Sequence, residues 1–166
     1  MSENQSRDLS RGLCRRNFLL AAMGWPLALA VGCATKGDVV TKVSLNLMAS
    51  DDTNPDANGR ASPLTVRLYV LKSPSAFISA DFFSLYDNDI ATLGADLVQR
   101  EEALLRPGEA KKFDFVLKPD AVAIGVTAAY RDLESAIWRE LHVLDVGKQY
   151  GLDLLFGARQ IQIAPR

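Results

Sequence analysis

The sequence predicts a mainly β protein: a two-sheet β-sandwich with a small helical insertion after its second strand. Three observations carry that expectation. Short runs of alternating apolar and polar residues recur from Val39 to Ile163. Turn signals, Asn58-Gly59 and Pro107-Gly108 among them, fall between such runs. One aromatic-rich segment after residue 73 has helical spacing instead. Strands at short intervals, interrupted once by helix, suit two packed sheets.

The elements follow in order. Val39, Val43, Leu45 and Leu47 alternate with Lys42, Ser44 and Asn46, which reads as a half-buried strand. Val66, Leu68 and Val70 alternate with Thr65, Arg67 and Tyr69, a second strand. Ser73-Pro74 then reads as an N-cap with proline at the first helical position, and Phe77, Ile78, Phe82 and Leu85 recur on one helical face that should pack on a sheet. Residues 87–107 are mixed, with room for a second short helix from Ile90 to Leu97, so the insertion spans about 73–100. Strand patterns return at Phe113–Leu117, at Val122–Ala128, at Ile137–Val143 and at Tyr150–Phe156. The phase slips at Phe156-Gly157 and resumes at Ile161, which calls for a bulge or a turn because a one-residue shift exchanges the faces.

Composition narrows the function. The chain has 166 residues, a formal charge of −1, 48% hydrophobic and 23% charged residues, values that exclude a disordered tail. Its length favours one domain. The neutral balance argues against a nucleic-acid binder, which would show a basic surplus. One histidine and two cysteines make a zinc site of the usual kind hard to assemble.

The N-terminal part reads as an address. Arg7, Arg11, Arg15 and Arg16 form a basic leader, an apolar run follows from Phe18 to Val31, and it ends in Leu29-Ala30-Val31-Gly32-Cys33. The uncharged stretch from Asn17 up to Lys36 holds Gly24, Pro26 and Gly32, which disfavours a membrane-spanning helix. A small residue directly before cysteine resembles a bacterial lipoprotein signal. There the Cys33 thiol takes diacylglycerol, the leader 1–32 is cut away, and the new amine is acylated with a fatty chain such as palmitate. Ala30 stands where leucine is more usual. Cys14-Arg15-Arg16-Asn17-Phe18-Leu19-Leu20 also resembles a twin-arginine export pattern, so the general and twin-arginine routes both stay open. The expected organisation is a leader at 1–32, a lipidated tether at 33–38 and a sandwich domain at 39–166. Cys14 leaves with the leader and Cys33 is consumed, so the mature domain must be stabilised by its core and not by a disulfide. Ala34 after the cysteine favours the outer membrane over retention at the inner one.

The segment Ala49–Ser62 between the first two strands carries the functional interest. It has no apolar residue larger than alanine, contains the turn signals Asn54-Pro55 and Asn58-Gly59, and exceeds the usual hairpin length. A protruding polar contact surface and a tolerated solvated insertion are both consistent with it. Asn54-x-Asp56-x-Asn58-Gly59 copies the first half of an EF-hand loop, but the twelfth position is Thr65, which offers no bidentate carboxylate, and no helices flank it. No metal is therefore expected. Elsewhere, His142 lies beside Glu140 and Asp145 without a G-x-S-x-G nucleophile motif in the mature chain, and Trp138 and Tyr130 read as core residues. No enzyme and no cofactor are expected.

The ordered blocks Ser62-Pro-Leu-Thr-Val-Arg-Leu-Tyr-Val-Leu-Lys72, Ala80-Asp-Phe-Phe-Ser-Leu85, Leu105-Arg-Pro-Gly108 and Ile124-Gly-Val-Thr-Ala-Ala-Tyr-Arg-Asp-Leu133 with Trp138-Arg139 follow the lipid-signal cysteine. Together the chain resembles the TssJ family, outer-membrane lipoproteins of type VI secretion systems. The resemblance implies a transthyretin-like sandwich that hangs in the periplasm from the outer membrane. It implies binding to the periplasmic C-terminal part of TssM, an inner-membrane protein, within a TssJ–TssL–TssM-type complex. It also assigns part of that contact to the loop between the first two strands, where Asn54, Pro55, Asp56, Asn58, Gly59 and Arg60 are the candidate residues by exposure and polarity. The competing reading is a periplasmic lipoprotein module that binds a small molecule or another protein.

Overall fold

A computed structural model describes residues 39–166. The leader, Cys33 and the tether lie outside the described residues. Among the described residues eight strands form two four-stranded sheets. They are β1 (Thr41–Ala49), β2 (Leu64–Leu71), β3 (Leu97–Leu105), β4 (Ala110–Leu117), β5 (Ala123–Ala128), β6 (Arg139–Val143), β7 (Gln149–Phe156) and β8 (Ile161–Pro165). One sheet has the order β4-β1-β7-β8 and the other β3-β2-β5-β6. All pairings are antiparallel except β1 with β7, which run side by side from Lys42↔Gln149 to Ala49↔Phe156. This is the predicted two-sheet sandwich.

The period-two pattern places the core. Val43, Leu45 and Leu47 of β1 and Leu152, Leu154 and Phe156 of β7 point inward from the first sheet. They meet Val66, Leu68 and Val70 of β2 and Ile124, Val126 and Ala128 of β5. Tyr69, Leu71 and Ala123 face the other way and form a second cluster with Phe77, Leu85 and Leu93. Helices cover that outer face, so β5 is buried on both sides along its whole length. Gly125 is needed for the cover: a Cβ there would lie 2.8 Å from the Phe77 ring.

The helical insertion differs in detail from its sequence reading. Helix α1 runs only from Ser75 to Ser79 with Pro74, not Ser73, at its N-cap. Helix α2 restarts at Phe82 behind an Asp81 cap, whose carboxylate accepts the Ser84 amide at 3.0 Å, and continues to Leu93 with a kink at Asn88. Ile90 therefore belongs to α2, and residues 94–96 form one 3-10 turn. There is no separate helix at Ile90–Leu97; Leu97 starts strand β3. Ile78 is exposed, because the break at Ala80 and Asp81 turns α1 so that Phe77 alone enters the core. Buried Asp89 of α2 accepts Arg100 at 2.8 Å and lies 3.6 Å from Arg67, which also binds Glu102 at 2.6 Å, so charge holds α2 over β2 and β3. Arg139 donates to the Phe77 and Ala80 carbonyls at 2.9 and 2.8 Å and closes the end of α1.

The pairing directions sort the connections onto two ends. β1 and β7 begin at one end and finish at the other, while β2 and β4 run back. The β1–β2 loop (50–63), the β3–β4 turn (106–109), the β5–β6 loop (129–138) and the β7–β8 turn (157–160) consequently share one end. The chain enters β1 at the opposite end, beside the β4–β5 (118–122) and β6–β7 (144–148) connections, where the helical β2–β3 connection (72–96) also starts and returns. The phase slip after Phe156 is thus a turn.

Candidate functional site

Polar loops, not a cleft, make up the end away from the chain entry, and the β1–β2 loop dominates it. Its first half is fastened to the scaffold. The Ser50 amide donates to the Phe156 carbonyl at 3.0 Å, and the Thr53 hydroxyl donates to the same carbonyl. Thr53 is fully buried. Asn54 adopts a positive φ of 50°, a conformation asparagine tolerates better than most residues. Its amide donates to the Pro63 carbonyl at 2.8 Å and its oxygen accepts the Arg131 amide at 2.8 Å. Asn54 is only 3% exposed. The expectation of an exposed Asn54 is therefore wrong: the side chain is spent on joining this loop to the β5–β6 loop.

Beyond Asn54 the loop turns outward around Asp56. The carboxylate accepts the backbone amides of Asn58 and Arg60, both at 2.9 Å, and meets the Arg60 guanidinium at 3.3 Å. The backbone closes the turn, with Asp56 N–H to the Arg60 carbonyl and Gly59 N–H to the Asp56 carbonyl, both at 2.9 Å. The Arg60 amide, and next the Asn58 amide and the Arg60 charge, hold the Asp56 carboxyl below its ordinary value of 3.8, though desolvation opposes them. Ala57, Asn58, Gly59 and Arg60 are exposed, the Arg60 side chain by 84%. Pro55 and Asp56 are half-buried. The oxygens of the partial EF-hand pattern do not converge, since Asn54 turns toward Pro63 and Arg131 while Asp56 serves its own loop.

Neighbouring loops extend this surface. Asp56, Ala57, Arg131, Asp132 and Arg159 line a groove of about 390 Å³. Arg159 pairs with Asp132 at 2.9 Å across the β5–β6 and β7–β8 connections. Beside it, Ser50, Asp52, Ile137, Leu155 and Arg159 border a second groove of about 530 Å³, in which Ile137 is 53% exposed. Tyr130 is buried, its hydroxyl donates to the Gln160 carbonyl at 2.8 Å, and burial pushes it well above the usual phenol range. It is the core residue that the sequence reading expects, and its hydroxyl also ties the two flanking loops together. Sequence reading did not include Arg131, Asp132, Ile137 and Arg159 in this surface. The only available signal was the polar cluster at Tyr130-Arg131-Asp132, which says nothing about proximity to residue 56. His142 lies far along β6, edge-on to Tyr150 at 5.5 Å. Trp138 is half-buried against both clusters.

Residues 41–159 match the model of the family described as type VI secretion lipoprotein, VasD, EvfM, TssJ, VC_A0113. The chain belongs to the TssJ family of type VI secretion lipoproteins. Among solved structures it is similar to the T6SS lipoprotein TssJ1 of Pseudomonas aeruginosa, with 44% identity over 76% of this chain and 96% of that one and a TM-score of 0.74. It is also similar to Serratia marcescens Lip, a membrane-bound component of the type VI secretion system, with 26% identity, coverage of 75% and 96%, and a TM-score of 0.70. A chain in the structure of the T6SS protein TssM C-terminal domain from EAEC shares the fold, with 23% identity, coverage of 75% and 98%, and a TM-score of 0.64. Curated protein sequences return no match. The TssJ resemblance read from the ordered sequence blocks is confirmed, and so is the sandwich with its helical insertion. No helix among the described residues is long and apolar enough to cross a membrane.

Proposed function

We propose that this TssJ-family lipoprotein is a non-catalytic scaffold, held in the outer membrane by acyl chains on Cys33 and facing the periplasm. It helps assemble the type VI secretion membrane complex by binding the periplasmic C-terminal part of a TssM-like inner-membrane protein, in a complex that also includes a TssL-like protein. Pro55, Asp56, Asn58, Gly59 and Arg60 make the contact, and Asn54 supports it from beneath. The observation that carries this reading is the Asp56-centred tip standing on a buried Thr53–Asn54 root. A loop already ordered by its own hydrogen bonds loses little entropy on docking, so more of its contact energy appears as affinity. Rigid scaffolds commonly present recognition residues on such loops.

The test is capture of a purified TssM-like periplasmic domain by the protein and by an Asn58→Ala, Arg60→Glu variant. Both side chains are exposed, so the variant should melt with the parent protein. Binding should weaken about tenfold or more, equivalent to about 1.4 kcal/mol. Unchanged affinity would remove the tip from the interface. Removing the whole segment Ser50–Arg60 is a poorer experiment, because it also deletes Thr53 and Asn54 and with them the root.

A further inference from the structure

We propose that the end of the sandwich where the chain enters is a bilayer-contacting surface that seats the domain upright on the membrane holding its lipid. The inference rests on Cys33 carrying the acyl chains. Only five residues lie between Cys33 and Val39, six Cα-to-Cα steps. Fully extended, they reach about 20 Å, so this end can never be far from the lipid headgroups.

Its composition suits that position. Val39 is 55% exposed, Val146 45% and Val116 70%. The Val39 Cγ1 lies so close to Gly147 that a Cβ there would be 2.7 Å away, which places Val39 against the Val146–Gly147 turn. Val40 continues into a groove of about 510 Å³ lined also by Val116, Lys118 and Pro119. Val39 and Val40 thus bring both apolar areas to the same end of the sandwich. Around them, Lys72 pairs with Asp120 at 3.1 Å and Lys148 with Asp145 at 2.7 Å, and these charges cancel. Lys42 and Lys118 have no ion-pair partner among the described residues; against them stands the carboxylate of Asp96, whose backbone carbonyl accepts the Lys72 amide at 2.8 Å, so the rim keeps a net positive charge of one. Small apolar side chains ringed by lysines fit the boundary between acyl chains and anionic headgroups, where lysine stems lie along apolar surface and their ammonium groups meet phosphate. Seated this way, β1 carries the polar loop end away from the bilayer by about 30 Å, the length of a strand of its nine residues.

The experiment uses the mature lipidated protein in vesicles of phosphatidylethanolamine with a minority of phosphatidylglycerol, some bearing headgroup nitroxides. The lipid blocks Cys33, so Val146→Cys or Asn58→Cys supplies a single site for a fluorophore. Nitroxide lipid should quench the probe at 146 and spare the probe at 58. Adding Val39→Asp, Val116→Asp and Lys118→Glu should abolish quenching at 146 while the protein still floats with the vesicles. Equal quenching at both sites, or quenching that survives those substitutions, overturns the inference. So does a probe at 146 that is shielded only when the TssM-like domain is added, since the surface would then be a protein contact. Mass spectrometry showing no lipid on Cys33 would instead overturn the anchor, and this inference with it.

Discussion

The two ends of the sandwich are finished in different ways. At the chain-entry end, the helical connection 72–96 folds back over a sheet face, the connections 118–122 and 144–148 are short, and exposed valines sit among lysines. At the other end, the connections 50–63 and 129–138 are long and polar, yet carbonyls, amides and carboxylates within them are paired. Among the connections without helices, length alone would make the second end the looser one. The difference teaches that a loop without an apolar core can still be given one shape when buried polar side chains replace the missing contacts. Thr53 and Asn54 do so here, at the cost of being unavailable to a partner.

The strongest way to break this comparison is to remove the root. Asn54→Ala deletes the bonds to Pro63 and Arg131 and leaves alanine at a φ of 50°. It should cost about 2 kcal/mol in urea unfolding and, by loosening the tip, should also lower capture of the TssM-like domain. A strain of similar kind at the other end should leave capture alone. Gly147 has a φ of 82° and its Cβ position is filled by Val39, so Gly147→Ala should cost about 1–2 kcal/mol in the same measurement without changing affinity. If both substitutions weakened capture equally, the two ends would not be independent.

The smallest effect sharpens the picture of the tip. The folded carboxyl of Asp56 titrates below 3.8, so the order it confers is fully present above that value and is lost as pH falls through the lower folded value. Protection of the Asn58 and Arg60 amides, the NMR exchange rate set against the intrinsic rate at each pH, should be held at neutral pH and fall only in that acid range. An Asp56→Asn variant should show low protection at every pH. Protection that persists in Asp56→Asn would mean that the backbone bonds between residues 56, 59 and 60 shape the tip unaided.

Legibility from sequence followed burial. Strands β1, β2, β4, β5 and β7 each have a core-facing row, and their alternation located them. Strand β3 was missed because it is an edge strand turned to solvent. Gln99, Arg100, Glu101 and Glu102 run through it with no apolar residue among them, and only Ala103 and Leu105 are buried in the core. Strand β6 was read two residues too early: Ile137 is exposed and belongs to a single bridge with Gln160. The helices were recognised by Phe77 and Leu85, but the break between them depends on the Asp81 cap, a local hydrogen bond that no periodicity records. In the candidate site, the loop and its polar residues were found from length and turn chemistry. Which of those residues face solvent was not.

By itself the sequence determined the fold class, the family and the location of the long loop, since alternation, ordered blocks and turn residues are written locally along the chain. Only the tertiary structure decided that Asn54 is buried while Arg60 is free, that Arg131 and Arg159 stand beside Asp56, and that the valines of 39, 116 and 146 share one end. Those outcomes depend on which strand ends meet. That is set by long-range pairing such as β1 with β7, between residues more than a hundred positions apart, and a local pattern holds no information about such a distance.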